Sequence, residues 1–181
     1  MLDMLVAALL SLFPTYLDNV EAFDNVDAAI SAAEATGIDA DLLLAMAYVE
    51  SRFSPYSLSR LECKNKVCKR VTGTWTGDEP PKGAHPTWYC GVLQTGGSIS
   101  WDECMSMRDL ETGYLAGAKH LVEWRNAAPC RKLHEDDRMV CALRGYNGGW
   151  AAIKNSAKGY ANAVLYRRQV IKKAVANYSN T

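Results

Sequence analysis

Tyr48-Val49-Glu50-Ser51-Arg52-Phe53-Ser54-Pro55 closes a helix whose limits are written into the chain. Gly37 suits the end of a preceding helix, and Asp39 is a good N-cap. Asp41 adds a carboxylate to the first turn, where the helix dipole favours negative charge. Leu43, Met46, Ala47 and Glu50 follow at i, i+3, i+4 and i+7 and therefore share one face. That face is apolar until its last member. Pro55 prevents continuation. A glutamate on a core-facing stripe near a helix C-terminus is disfavoured as an anion on both counts, so its pKa is expected to rise. A carboxylic acid held neutral near pH 6–7 is what a general acid for glycoside cleavage needs. The plainer reading is a rim glutamate whose tip reaches water.

The chain has 181 residues, enough for one domain with its own core and an N-terminal appendage. Its zero net charge is uneven. Residues 1–51 hold nine acids and no Lys or Arg, while 52–181 hold all twenty basic residues and eleven acids. Either the two parts attract each other, or the basic part faces a polyanion such as cell wall, membrane or nucleic acid. Six cysteines (63, 68, 90, 104, 130, 141) suggest disulfides and an oxidising destination. Cys63–Cys68 and Cys130–Cys141 are the plausible local pairs. The rival reading is zinc held by Cys63, Cys68, His85 and Cys90, at a spacing looser than usual.

Residues 2–13 read as a short apolar helix ended by Pro14. The apolar run is too short to span a bilayer, and Asp3 stands where a signal peptide needs positive charge. A second helix is expected over 15–36, with Tyr16, Val20, Phe23, Val26 and Ile30 at helical spacing. Both are packing elements, or a docking element for a partner protein. Residues 60–90, rich in Pro, Gly and Cys, suggest an irregular insertion. Within it, Val71–Thr76 has strand character and Gly77-Asp78 reads as a turn. Trp75, Trp88 and Tyr89 would either stack on sugar rings or form the insertion's own small core. Gly91–Gly97 is too glycine-rich for a regular element. Helices are expected over 107–126, from Asp136 or Asp137 to a cap at Asn147-Gly148-Gly149, and over 159–177, the last with a basic face at Arg167, Arg168, Lys172 and Lys173. His120 and His134 have no patterned partner. The chain carries no phosphate loop or dinucleotide fingerprint. The fold class is mainly α (α+β), with a small β-hairpin in a cysteine-containing insertion.

Four segments occur in order: Glu50-Ser51-x-Phe53-x-Pro55, Gly91-Val92-Leu93-Gln94, Gly145-Tyr146-Asn147-Gly148-Gly149 and Tyr160-x-x-x-Val164. Together they resemble the soluble lytic transglycosylase family, lysozyme-like enzymes that cleave peptidoglycan. The family pattern reads Glu-Ser-x-Phe-x-Pro, Gly-Leu-Met-Gln, Ala-Tyr-Asn-x-Gly and Tyr-Val-x-x-Val. The match spans about 38–170. Here Leu93 replaces Met, Gly145 replaces Ala and Ala161 replaces Val, and the 60–90 insertion replaces a short link.

The resemblance implies a lysozyme-like domain over 37–181, with 1–36 outside it. Glu50 would be the catalytic acid. Ser51 and Gln94 would orient the substrate or the acid, and Tyr146, Asn147 and Tyr160 would line the cleft. One carboxylate suffices in this family, because the same glutamate then acts as base toward the sugar's own C6 hydroxyl. The partner would be peptidoglycan glycan strands, with no nucleic acid, no stable membrane span, no cofactor and no metal. The location would be extracytoplasmic (periplasm or cell wall) or virion-associated, as for a bacteriophage enzyme. Two alternatives remain: a muramidase using Asp78, Glu79, Asp102 or Glu103 as second carboxylate, and an inactive wall-binding or structural component of a virion or secretion machine.

Overall fold

In the computed structural model, Ala40–Ser51 forms helix α3, starting after Asp39 as the capping pattern predicts. The structure describes residues 1–64, 67–80, 87–154 and 158–179, without the side chains of 61–64, 67–69, 154 and 158. Gly37 ends the preceding helix α2 (Asn19–Thr36) in the left-handed conformation at φ 70°, its N–H bonded to the Ala33 carbonyl. Leu42 through Ala47 are all fully buried, so α3 is enclosed on every side rather than along one stripe. It lies between α2 and α7 (Lys158–Tyr178). The remaining helices are α1 (Leu2–Leu12), α4 (Trp101–Ser106), α5 (Leu110–Asn126) and α6 (Glu135–Lys154). The protein is thus mainly helical, with one small antiparallel sheet.

Leu5 and Leu9 of α1, with Phe13 and Leu17, join the same core as α3, α5 and α7. Helix α2 starts later than its apolar spacing suggests. Asp18 and Glu21 form a reciprocal capping box that fixes the first turn. Its buried face also differs. Ala22, Val26, Ala29 and Ala32 face inward, while Tyr16, Val20 and Phe23 are exposed. Small residues admit the close approach of neighbouring helices, and that outweighs the size of the apolar side chains at 20 and 23. Asn25 also faces inward, where its Oδ1 accepts from the Tyr114 hydroxyl at 2.9 Å.

The charge imbalance has a structural counterpart. Arg168 of α7 pairs with Asp39 and Asp41, and Lys172 lies 3.4 Å from Asp41. Asp39 makes no side-chain cap bond on α3, because its carboxylate turns to Arg168 instead. The guanidinium groups of Arg52 and Arg167 lie 4.2 and 4.5 Å from the centre of the Tyr48 ring. Part of the basic face of α7 is therefore committed to the acidic first third of the chain.

The sheet has strand order β2-β1-β3-β4 and is antiparallel throughout, formed by β1 (Ser57–Lys64), β2 (Val67–Thr74), β3 (Trp88–Cys90) and β4 (Thr95–Gly97). The hairpin therefore lies earlier than the Gly77-Asp78 signal indicates. Val71–Thr74 is the second half of β2, the later strand of the hairpin, and Cys63 pairs in register with Cys68. Gly77 and Asp78 instead lie in a loop pinned by side chains. Arg108 donates to the Trp75 and Gly77 carbonyls, and Trp101 Nε1 donates to the Asp78 carbonyl at 2.6 Å. The glycine-rich 91–97 stretch is also partly regular, since Thr95–Gly97 is strand β4.

One sheet face packs Leu58, Trp88 and Cys90 against Cys104 and Met107, a second and smaller core. Cys90 and Cys104 are joined, as are Cys130 and Cys141. The 130–141 pair matches the sequence expectation, while Cys90–Cys104 crosses from β3 to α4. That bond removes Cys90 from the zinc set considered above. His85 and the side chains of Cys63 and Cys68 lie outside the described residues.

Candidate active site

Glu50 sits in the last turn of α3, and the chain leaves that turn by an unusual path. Arg52 and Phe53 both adopt left-handed backbone, at φ 56° and 67°. Gln94, in the second motif, has φ 49°. No other described non-glycine residue has positive φ. Such conformations persist only where the surroundings impose them, and they concentrate at functional sites. Here the imposing contacts are visible. Phe53 is buried against Phe13 and Tyr48. Gly91, at φ 73°, lets the chain pass so near Met107 that a Cβ would stand 2.3 Å from its carbonyl oxygen.

Two predicted residues join these segments. Ser51 Oγ donates to the Val92 carbonyl at 2.7 Å, tying the end of α3 to the 91–94 loop. The buried Gln94 side chain is occupied by protein. Its Nε2 donates to the Ser57 and Gly91 carbonyls, and its Oε1 accepts from Ser59 Oγ at 2.6 Å. Both residues therefore brace the backbone next to Glu50 through bonds to other protein groups.

Glu50 is half-buried. Loss of water around its carboxyl pushes its pKa from the ordinary carboxylate value up to about 7. Tyr160 and, from further off, the charge of Arg70 oppose that rise without cancelling it. Tyr160 Oη is buried and meets no partner at full hydrogen-bond geometry, although it lies close enough to Glu50 to favour the charged form. Tyr146 donates its hydroxyl to the Leu93 carbonyl at 2.6 Å and lies 3.1 Å from Thr95 Oγ1. The Tyr146 and Tyr160 rings are nearly parallel, 7° apart, at 6.5 Å. Burial raises the pKa of both hydroxyls, and the charge of Glu50 raises both further, so both remain protonated donors at any working pH. Asn147 follows Tyr146, is half-buried, and makes no side-chain hydrogen bond among the described residues.

A second aromatic group, not legible from spacing, extends from this site. His120 lies 5.2 Å from Tyr146 and accepts from Trp124 Nε1 at 3.2 Å. Trp124 in turn meets Trp150 edge-on at 5.4 Å, and Trp150 is exposed. His120, without a patterned partner in the sequence, thus packs between Tyr146 and Trp124. Gly145 makes the arrangement possible, because a Cβ there would stand 2.3 Å from the Trp124 ring. The helical geometry of α6 breaks at Gly148 and Gly149 and then resumes, so this pair turns the helix instead of ending it. Asp136 and Asp137 likewise lie inside its first turn rather than capping it.

The four further acids are placed differently. Asp78 is fully exposed, with Arg108 at 3.8 Å. Glu103 is used in a capping box with Ser100, and Asp102 shares its first turn. Glu79 is exposed, and its carbonyl accepts from Trp75 Nε1. No cluster of three metal-ligating side chains occurs among the described residues. A cavity of about 670 Å³ lies away from Glu50, lined by Met1, Leu5, Ile30, Ala33, Asp41 and Lys172 among others. No protein-family model matches the chain, and no curated protein or solved structure matches it either.

Proposed function

We propose that the protein cleaves the β-1,4 bond between MurNAc and GlcNAc in bacterial peptidoglycan by the lyase route. The observation that carries this reading is Glu50, a carboxyl with a pKa near 7 where the four motif segments meet. A group with that pKa is protonated often enough to donate and basic enough to take a proton back. Glu50 gives its proton to the bridging oxygen, and the bond from that oxygen to C1 of the muramyl sugar breaks. The resulting carboxylate is steadied by Tyr160 and Arg70. It then accepts the proton of the sugar's own C6 hydroxyl as that oxygen closes on C1. The product is a 1,6-anhydro sugar and no water is consumed. An intramolecular hydroxyl needs no separately positioned water, which lowers the entropic cost of the second step.

Hydrolysis would need a second carboxylate to hold water or attack C1. The placement of Asp78, Glu79, Asp102 and Glu103 favours the single-acid route. The disulfides suit an extracytoplasmic or virion-associated enzyme. No described helix is long and apolar enough to cross a membrane. Mass spectrometry of fragments released from purified peptidoglycan tests the proposal. Anhydro-MurNAc ends are expected. Reducing MurNAc ends alone would transfer the protein to the muramidase class, and no release at all would favour an inactive wall-binding role.

A further inference from the structure

We propose that the β1–β2 hairpin reads the substrate: Arg70, laid across Tyr89 on the sheet face that Ser59 ties to Gln94, binds a carboxylate carried by the muramyl sugar. The inference rests on the peptidoglycan reading above and adds a specificity residue that no motif contains.

Strand pleating separates the two sheet faces. Leu58, Trp88 and Cys90 face the small core with Cys104 and Met107. Ser59 is paired with Thr72 on one side and Tyr89 on the other, so these three share the opposite face. Arg70, two residues before Thr72, belongs to that face too. The face is polar and tied to the site: Ser59 Oγ lies 2.6 Å from Thr72 Oγ1 and donates to Gln94. The Arg70 guanidinium lies 4.1 Å from the centre of the Tyr89 ring, inside the range of a cation–π contact. Arg70 is exposed and has no carboxylate partner among the described residues. Its charge nevertheless reaches Glu50.

A stacked guanidinium keeps its forked donors free and held in one plane. That is the geometry for gripping a carboxylate with two parallel hydrogen bonds. The substrate offers such a group beside the scissile bond. Each muramyl sugar bears a lactyl ether that ends in a free carboxyl or continues as a stem peptide with its own carboxylates. GlcNAc bears none. An arginine on this face would therefore distinguish the two sugars and set which bond faces Glu50.

The test uses the full chain with Glu50→Gln, so that binding is read without turnover. Three probes are titrated: peptidoglycan strands with stem peptides, strands stripped of peptides by an amidase, and an uncharged β-1,4 GlcNAc oligomer. Adding Arg70→Gln should weaken binding of the muramyl strands about tenfold, the scale of a charge-assisted hydrogen bond near solvent, and leave the uncharged oligomer unchanged. Loss on the stripped strands alone identifies the free lactyl carboxylate, loss on the peptide-bearing strands alone identifies a stem carboxylate, and loss on both identifies a site that takes either. Arg70→Lys should restore only part of the loss, because it keeps the charge and lacks the fork.

Equal weakening on all three probes, or none, overturns the proposal. So does a result in the active enzyme where Arg70→Gln only moves the pH profile and leaves KM unchanged, which would make Arg70 a tuner of Glu50. If the wild-type chain cleaves peptidoglycan and Arg70 proves indifferent, this inference fails alone. If no cleavage is found but the selective binding loss remains, the enzymatic reading fails and the carboxylate site stands.

Discussion

The helical body and the sheet hold their shapes by different means. Leu42–Ala47 of α3 are wholly enclosed, and α1, α2, α5, α6 and α7 add to one continuous apolar core. The sheet buries Leu58, Trp88 and Cys90 against only Cys104 and Met107, and a disulfide crosses that small core. Small cores supply little hydrophobic stabilisation, so a covalent link matters more there. Glu50 lies at the boundary. Its helix belongs to the helical body, whereas Arg70 comes from the sheet, and the 91–94 loop bridges the two, with Val92 and Leu93 buried in the helical core. The helical body thus sets the position of Glu50 and supplies Tyr146 and Tyr160 beside it, and the sheet adds the charge of Arg70.

The largest expected effect is at the boundary itself. Glu50→Gln should lower turnover at least a hundredfold, roughly the contribution of a general acid, while the fold persists. Steady-state release of muramyl fragments measures this, and near-normal activity would remove Glu50 from the mechanism. The same variant should be more stable than wild type at pH 8. The Glu50 pKa is raised in the folded state, so the folded protein holds more protons than the unfolded chain between about 4.5 and 7. Stability from this group is therefore fully present below that window and is lost as pH rises through it. Each pKa unit counts about 1.4 kcal/mol, so the gain in Glu50→Gln could reach about 3 kcal/mol at pH 8 and should vanish near pH 4. Thermal melts at the two pH values decide. Activity should decline on the same ascent through pH 7, as the acid loses its proton.

Breaking Cys90–Cys104 by a double Ser substitution should cost the sheet about 3 kcal/mol, since the loop closed is short. Hydrogen exchange should accelerate in β1, β3 and α4 and change little in α3. Uniform acceleration would mean the two regions unfold as one. Gly145→Ala should cost about 2 kcal/mol by overpacking Trp124. Adding Trp124→Leu should recover part of that cost, and an equal loss in the double variant would reject the packing explanation. The smallest effect is expected at α7. Arg168→Met, by removing a partly exposed ion pair with Asp39 and Asp41, should cost about 1 kcal/mol and less in high salt.

The helices were legible where short-range rules decide. Gly37 ends α2 and Asp39 stands at the N-cap position of α3, although the helix stops at Ser51, ahead of Pro55. The order of four short motifs singled out Glu50, Tyr146, Asn147 and Tyr160 before any contact was known. Cys130 and Cys141 were legible as a pair because a short loop brings them together. Elsewhere the deciding contacts join residues far apart in sequence. Only packing could choose alanines over Val20 and Phe23 as the inner face of α2. Only the β1–β3 register could bring Tyr89 to the face that carries Arg70 and Ser59. The sequence alone determined that a carboxyl would end an apolar helix beside a tight turn. Tertiary structure decided its surroundings: burial that raises its pKa, two tyrosines from α6 and α7, and an arginine from β2. The physical reason is range. Capping and backbone stops act within a helical turn, whereas desolvation and charge act across whatever the folded chain brings near.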